Sequence, residues 1–324
     1  MCQEEITPSN KSEEHIILRS FGGRLSSYAL LCQSCNGRFG NGIDSELYKQ
    51  IPLPTLLKVS LQHGELQKVL LKKKNGIGFW VNDKLKPSQQ HPTVIKDGKS
   101  LKYYARSIQE ARKKFKEFYP NKTEGDFVDT IKWIDTIIDE PLFFNYDLIQ
   151  NDAYLSICKT AVNYFLYCGG DIRQVEYARF FLTGRSYLNN LVKYYYRDEL
   201  NSHLLEKEIS HTLYLKCNKE LGLCYFYIEL FSVHCFLVIL NRNYFGEDIE
   251  EIYSCDLDSG KKLNKEFSLS ISRSEIDGFT FPGDSYTEDG YFKRLKRAYD
   301  IKGIEMQISK RIQPQKQTAP TERE

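Results

Sequence analysis

Two cysteines three residues apart, Cys32-Gln33-Ser34-Cys35, constrain the fold of this chain more than any other feature. The CxxC spacing lets two thiolates hold one tetrahedral Zn²⁺ from a turn that enters a helix. A closed site needs two further ligands, and the other cysteine nearby is Cys2. Its own partner at the same spacing would stand before Met1. Cys2, Cys32 and Cys35 therefore supply three thiolates, and the tetrahedron is completed either by a residue upstream of Met1 or by another group or water. Nine cysteines, an odd number with no secretory context, argue against a disulfide framework and leave metal ligands and buried thiols. No βαβ pattern surrounds the pair, which counts against a thioredoxin-like role.

Around this knuckle stand Glu13-Glu14-His15-Ile16-Ile17, then Ser20-Phe21-Gly22-Gly23, then Asn36 directly after Cys35, then Gly42-Ile43-Asp44. These elements, in this order, resemble the HNH endonuclease superfamily over roughly the first 50 residues. The resemblance implies a treble-clef zinc finger carrying a ββα-metal active site and hydrolysing phosphodiester bonds. It implies that His15 is the general base, that Glu14 and Asn36 ligate a catalytic Mg²⁺ or Mn²⁺, and that Cys2, Cys32 and Cys35 bind structural Zn²⁺.

The chemistry of these side chains suits those roles. Imidazole is the side chain half-ready to accept a proton at neutral pH. A carboxylate and an amide carbonyl are hard donors of the kind Mg²⁺ and Mn²⁺ prefer. Two departures stand out: Ser27 occupies the place of a structural Asn five residues before the CxxC, and Leu18 replaces a Pro after the Ile-Ile pair. Adjacent strand residues also face opposite ways. Glu14 and His15 thus share a metal site only where the strand ends or bends, and Glu13 is the alternative ligand by alternation. Asp44 is expected to cap a helix from Ser45 to Lys49.

Charge is segregated farther along. Residues 56–122 hold 16 Lys or Arg against 5 Asp or Glu, a net +11, whereas 123–160 hold 8 acidic against 2 basic, a net −6. Such a local basic stretch suits a polyanion. Lys72, Lys73, Lys74, Arg112, Lys113 and Lys116 are its candidate nucleic-acid contacts, with Arg19 and Arg38 in the first segment. DNA is the expected substrate, with RNA possible.

Short apolar runs separated by Asn75-Gly76 and Asp97-Gly98 predict hairpins, and Ile108, Ala111, Phe115 and Phe118 predict an amphipathic helix that ends before Pro120. A second helix should begin at Asp152 and stop at Gly169-Gly170; beyond His211 alternating apolar residues predict one sheet. The expected class is α+β, divided into an HNH unit at 1–51, a basic hairpin-and-helix region at 52–122, an α+β domain at 123–312 that contacts a target or protein partner, and a disordered tail at 313–324.

His203, His211, Cys217, Cys224, His234 and Cys235 match no zinc spacing and are expected to pack in the core. Met1 to Ser20 is too polar for a cleavable signal, and Cys224–Leu240 is too short and too interrupted to span a bilayer, so a cytoplasmic protein without a membrane segment is expected. The functional expectation is a DNA endonuclease, of restriction or phage-defence kind by association. The alternatives are a non-catalytic zinc-finger module that binds nucleic acid and a nuclease subunit activated by a partner.

Overall fold

The computed structural model describes residues 2, 4–59, 66–73, 78–82, 87–89, 93–97, 100–105, 107–130, 149, 152–183, 191–196, 207–277 and 288–304. Helices and antiparallel sheets are segregated, as expected of an α+β chain. The chain forms two compact units, one made of 1–65 together with 147–324, the other of 66–146. The break expected near residue 52 is therefore not where the units part. The N-terminal segment shares a body with the C-terminal region.

In that segment β1 (Glu14–His15) pairs antiparallel with β2 (Ser26–Ser27), placing Glu14 opposite Ser27 and His15 opposite Ser26. Helix α1 (Gln33–Phe39) runs through a π-helical turn at Gly40–Asp44 into α2 (Ser45–Gln50), and α3 (Leu53–Leu56) follows. Asp44 does not cap α2: it is itself helical, and its side chain is turned to other partners described below. The connection from β1 to β2 needs both glycines. Gly22 has φ +86°, and a Cβ on Gly23 would stand 2.0 Å from the Ile17 carbonyl oxygen.

Residues 66–146 form the second unit. There β3 (Val69–Lys72), β4 (Gly78–Val81) and β5 (Pro87–Gln89) make one antiparallel sheet, and β6 (Thr93–Asp97) and β7 (Ser100–Tyr104) a two-stranded one. The strands flanking both expected turns thus pair, although Asn75, Gly76 and Gly98 lie outside the described residues. Helix α4 spans Ile108–Phe118, and the hydroxyl of its N-cap Ser107 accepts from the Glu110 amide. Phe115 of α4 meets Phe127 of α5 (Glu124–Thr130) edge to face at 5.5 Å.

The larger unit resumes with α6 (Asp152–Tyr167) and α7 (Glu176–Leu182). The helix stop read at Gly169-Gly170 is matched by Gly169 at φ +89°. Strands β8 (Val192–Tyr194), β9 (Ser210–Asn218), β10 (Leu223–Leu230), β11 (His234–Asn241), β12 (Ile249–Asp256) and β13 (Lys262–Leu263) form an antiparallel sheet in the order β13-β12-β9-β10-β11-β8. Helices α8 (Arg273–Asp277) and α9 (Glu288–Ile301) complete the unit.

Every residue of β10 is buried, which explains why its sequence is apolar on both faces apart from Glu229. Cys217 and Cys224, expected as packed thiols, are register partners on β9 and β10 and form a disulfide. No described helix is long and apolar enough to cross a membrane.

The N-terminal segment is fastened to this body at two places. Phe21, fully buried, meets Phe231 edge to face at 5.2 Å, and burying such a ring is worth about 1.5–3 kcal/mol. Beside it His211 bridges the two parts: its Nε2 lies 2.9 Å from the Phe21 carbonyl and its Nδ1 accepts from the Phe231 amide at 3.2 Å. Phe231 and Ser232 are both left-handed at φ 60° and 54°, a conformation held by these bonds and by the Ser232 amide donating to Ser210 O. The second fastening is α6, which packs on α2, on the π-helical turn and on β8 and β11.

Candidate metal and active site

The sulfur atoms of Cys2, Cys32 and Cys35 lie within 4.8 Å of one another, with Cys2 Sγ 3.5 Å from Cys32 Sγ. Zn–S bonds of about 2.3 Å set tetrahedral sulfurs about 3.8 Å apart, so the three thiols fit one such ion. They converge because the N-terminal strand runs alongside the start of α1: the Gln33 amide donates to Asn10 O at 2.7 Å, and Lys11 bridges to Cys32. The thiols differ. A backbone bond from Cys35 holds Cys32 below the ordinary thiol range, whereas burial pushes Cys35 up to about 11. A bound cation favours the thiolate of both.

The two faces of β1 are divided as strand alternation demands. On the outer face Glu13 is exposed and His15 half-buried, with Ser26 opposite His15 donating its hydroxyl to Glu13 Oε1 at 2.8 Å. Asn36, at the start of α1, donates its amide nitrogen to Glu13 O at 3.0 Å and to Ser12 Oγ at 2.8 Å. Those bonds fix the amide's orientation and leave its Oδ1 unbonded among the described residues. Partial burial lowers the His15 pKa below the ordinary imidazole value; Glu13 opposes this shift while Arg19 and Lys159 reinforce it. At neutral pH the ring is therefore uncharged and able to take a proton. Neither ring nitrogen has a hydrogen-bond partner among the described residues.

Glu14 stands elsewhere than the resemblance implies. Its carboxylate is turned inward, only 2% exposed, where Oε1 accepts from Lys159 Nζ at 2.7 Å and from Asn163 Nδ2 at 2.9 Å. Burial raises its pKa above the carboxylate norm, with Lys159 opposing. The outer face thus gathers His15, Asn36 and Glu13, and Glu14 belongs to the interior. Asp44, Ser156, Lys159 and Asn163 were not singled out as site residues from sequence. One signal was available: Lys159 and Asn163 lie four apart on a helix buried on nearly every side, where a lysine needs a partner.

The basic candidates divide as well. Arg19 is exposed and close enough to His15 to act on its ionisation, and Arg38 lies over the Phe39 ring at 5.1 Å. In the second unit Lys72 is exposed at the end of β3, while Lys73 sits 5.8 Å over the Phe79 ring. Lys74 lies outside the described residues. Arg112 is paired with Glu124 at 2.6 Å, whereas Lys113 and Lys116 are exposed and make no salt bridge among the described residues.

With the geometry in view, residues 1–52 match the model of the HNH endonuclease family, the family that the N-terminal order of motifs resembles. The segment is of HNH type, and this accounts for the ββα arrangement and the thiol cluster. Neither a curated protein nor a solved structure matches the chain.

Proposed function

We propose that this protein is a metal-dependent endonuclease that hydrolyses phosphodiester bonds in DNA. The observation that carries the reading is the outer face of β1, where an uncharged imidazole feels the charge of the exposed Glu13 carboxylate, and where Asn36, directly after Cys35 of the three-thiol cluster, is bonded to the Glu13 backbone with its amide oxygen unbonded among the described residues. His15 takes the proton of the attacking water. The Glu13 carboxylate and Asn36 Oδ1 hold the catalytic cation, Glu13 filling the role the resemblance gives Glu14. A bound Mg²⁺ or Mn²⁺ supplies charge stabilisation to the phosphate and the leaving oxygen. Arg19, exposed and near enough to His15 to act on its ionisation, supplies a positive charge for the phosphate. Cys2, Cys32 and Cys35 hold Zn²⁺ and keep α1 against the N-terminal strand. The basic unit at 66–146 binds the nucleic-acid backbone, the C-terminal region selects target or partner, and a defence role fits such a division of labour.

The test is plasmid nicking with Mg²⁺ or Mn²⁺ by the wild type and His15→Ala. Cleavage that survives in His15→Ala removes His15 as the base. A second reading, a zinc-finger module that binds nucleic acid without cutting it, is favoured by Ser27 and by the commitment of Glu14 to Lys159. Zinc-loaded protein that binds DNA or RNA and cuts neither would establish it.

A further inference from the structure

A buried ionic cluster lies directly behind the outer face. Lys159 is 1% exposed, and its Nζ donates to Glu14 Oε1 at 2.7 Å and to Asp44 Oδ2 at 2.6 Å. Ser156 donates to Asp44 Oδ1 at 2.6 Å and Asn163 to Glu14 Oε1 at 2.9 Å. Both carboxylates come from the HNH-like segment; every donor comes from α6 of the C-terminal region.

Stability alone does not account for such a cluster, because apolar side chains of similar volume hold two segments together at least as well as a buried ion pair. What the ions add is position. Glu14 immediately precedes His15 on a strand of two residues, so holding the Glu14 side chain inward fixes the roll of the backbone and with it the opposite face to which His15 points. Asp44 ends the π-helical turn that continues α1, the helix carrying Asn36. One ammonium therefore grips both halves of the outer site from behind, while the Asn36 bonds to Glu13 O and Ser12 Oγ tie them from the front.

We infer that Lys159 is a positioning residue for phosphodiester cleavage: by holding Glu14 and Asp44 together, it fixes His15 relative to Asn36. The inference rests on the nuclease reading above. Lys159 touches neither substrate nor catalytic cation. Beside its electrostatic lowering of the His15 pKa, its effect on the reaction is geometric, and a displacement of about 1 Å in a reacting group costs about 100-fold in rate.

The experiment uses the full-length, zinc-loaded protein as wild type, Lys159→Met and the neutral triple variant Glu14→Gln/Asp44→Asn/Lys159→Met. Lys159→Met leaves two carboxylates buried without their cation and is the variant at risk of unfolding; the triple variant removes all three charges at nearly constant volume and covers that case. Single-turnover nicking with Mn²⁺, DNA affinity and the NMR signal of the Asn36 side-chain amide are read together. In the folded triple variant, the cleavage rate should fall about 10–100-fold while DNA affinity stays within about twofold, and the Asn36 amide signal should move and exchange faster with water. A merely structural lysine predicts a triple variant with the wild-type rate and the wild-type Asn36 signal, and that result overturns the inference. An Asn36 signal unmoved in the folded triple variant does so whatever the activity. Wild-type protein that nicks neither DNA nor RNA overturns the nuclease reading instead, so the two failures are separable.

Discussion

The HNH-like segment and the basic unit at 66–146 both carry nucleic-acid signals in their sequence, but they position their charged residues by different means. In the segment, decisive side chains are held by partners far along the chain: Glu14 by Lys159 and Asn163, Asp44 by Ser156 and Lys159, Phe21 by His211 and Phe231. In the basic unit the charges are paired with near neighbours or left in water, as in Arg112 with Glu124, Lys114 with Glu117, and Lys113 and Lys116 exposed. The difference teaches where precision is needed. Chemistry on one phosphate requires fixed atoms, whereas holding a polyanion requires only charge near a surface.

The largest effect that would sharpen this contrast belongs to His15. His15→Ala should lower metal-dependent nicking by about 100–10,000-fold, the range for a general base, while gel-shift affinity for the same DNA barely changes. Next come the two glutamates. Glu14→Ala should destabilise the larger unit by about 3 kcal/mol, the lower end for breaking a buried pair because Asp44 still neutralises Lys159. Glu13→Ala, exposed, should stay within about 0.5 kcal/mol of wild type in the same urea titration and lose Mn²⁺ binding. Equal stability losses for the two would break the distinction between the faces of β1.

A pH-dependent effect, smaller for each ring than the Glu14 loss, tests the fastening of the segment to the sheet. Burial depresses His211 to about 4 and His234 to about 3. Their folded pKa values lie below the ordinary 6.5, so the unfolded chain takes up protons first as pH falls. Their stabilisation is complete above about pH 6.5 and is lost on acidification toward about 4 and below, at up to about 1.4 kcal/mol per pH unit for each ring. Urea midpoints at pH 7 and pH 5 should show this loss, and His211→Gln should flatten it. The smallest effect lies in the basic unit, where Lys113→Gln and Lys116→Gln should each reduce the slope of log affinity against log salt by about 1. Arg112→Gln should change it less, because Glu124 already neutralises that charge.

What could be read in the sequence follows the same division. The motif of the first segment was legible because its members are local: His15, Asn36, Cys32 and Cys35 lie within a short stretch, and period-two alternation marked Glu13 as the residue sharing the His15 side. The helices at Ile108 and Asp152 and the strands after His211 were legible from periodicity. The interior was not. Asp44 looked like a helix cap because Ser45 begins a helix, but the π-helical turn carries α1 into α2 without a break, and a capping carboxylate has nothing to cap. Pro52 and Pro54 punctuate the chain where the family match ends, while the packing of the segment's apolar side on α6 and the sheet, which puts 1–65 in one compact unit with 147–324, was not legible. A disulfide between Cys217 and Cys224 needed the β9–β10 register, which spacing alone does not fix.

The contact between Glu14 and Lys159 spans 145 residues, and that length is also a time. A ribosome adding about 5–20 residues per second makes Lys159 about 7–30 s after Glu14, and the β10–β11 turn bearing Phe231 later still. Until then the first segment has its cysteines but neither its buried cation nor its cover. The first segment is therefore completed only when most of the polypeptide has been made, and a truncated product that ends before Lys159 carries the motif without the ammonium that holds Glu14 and Asp44 together.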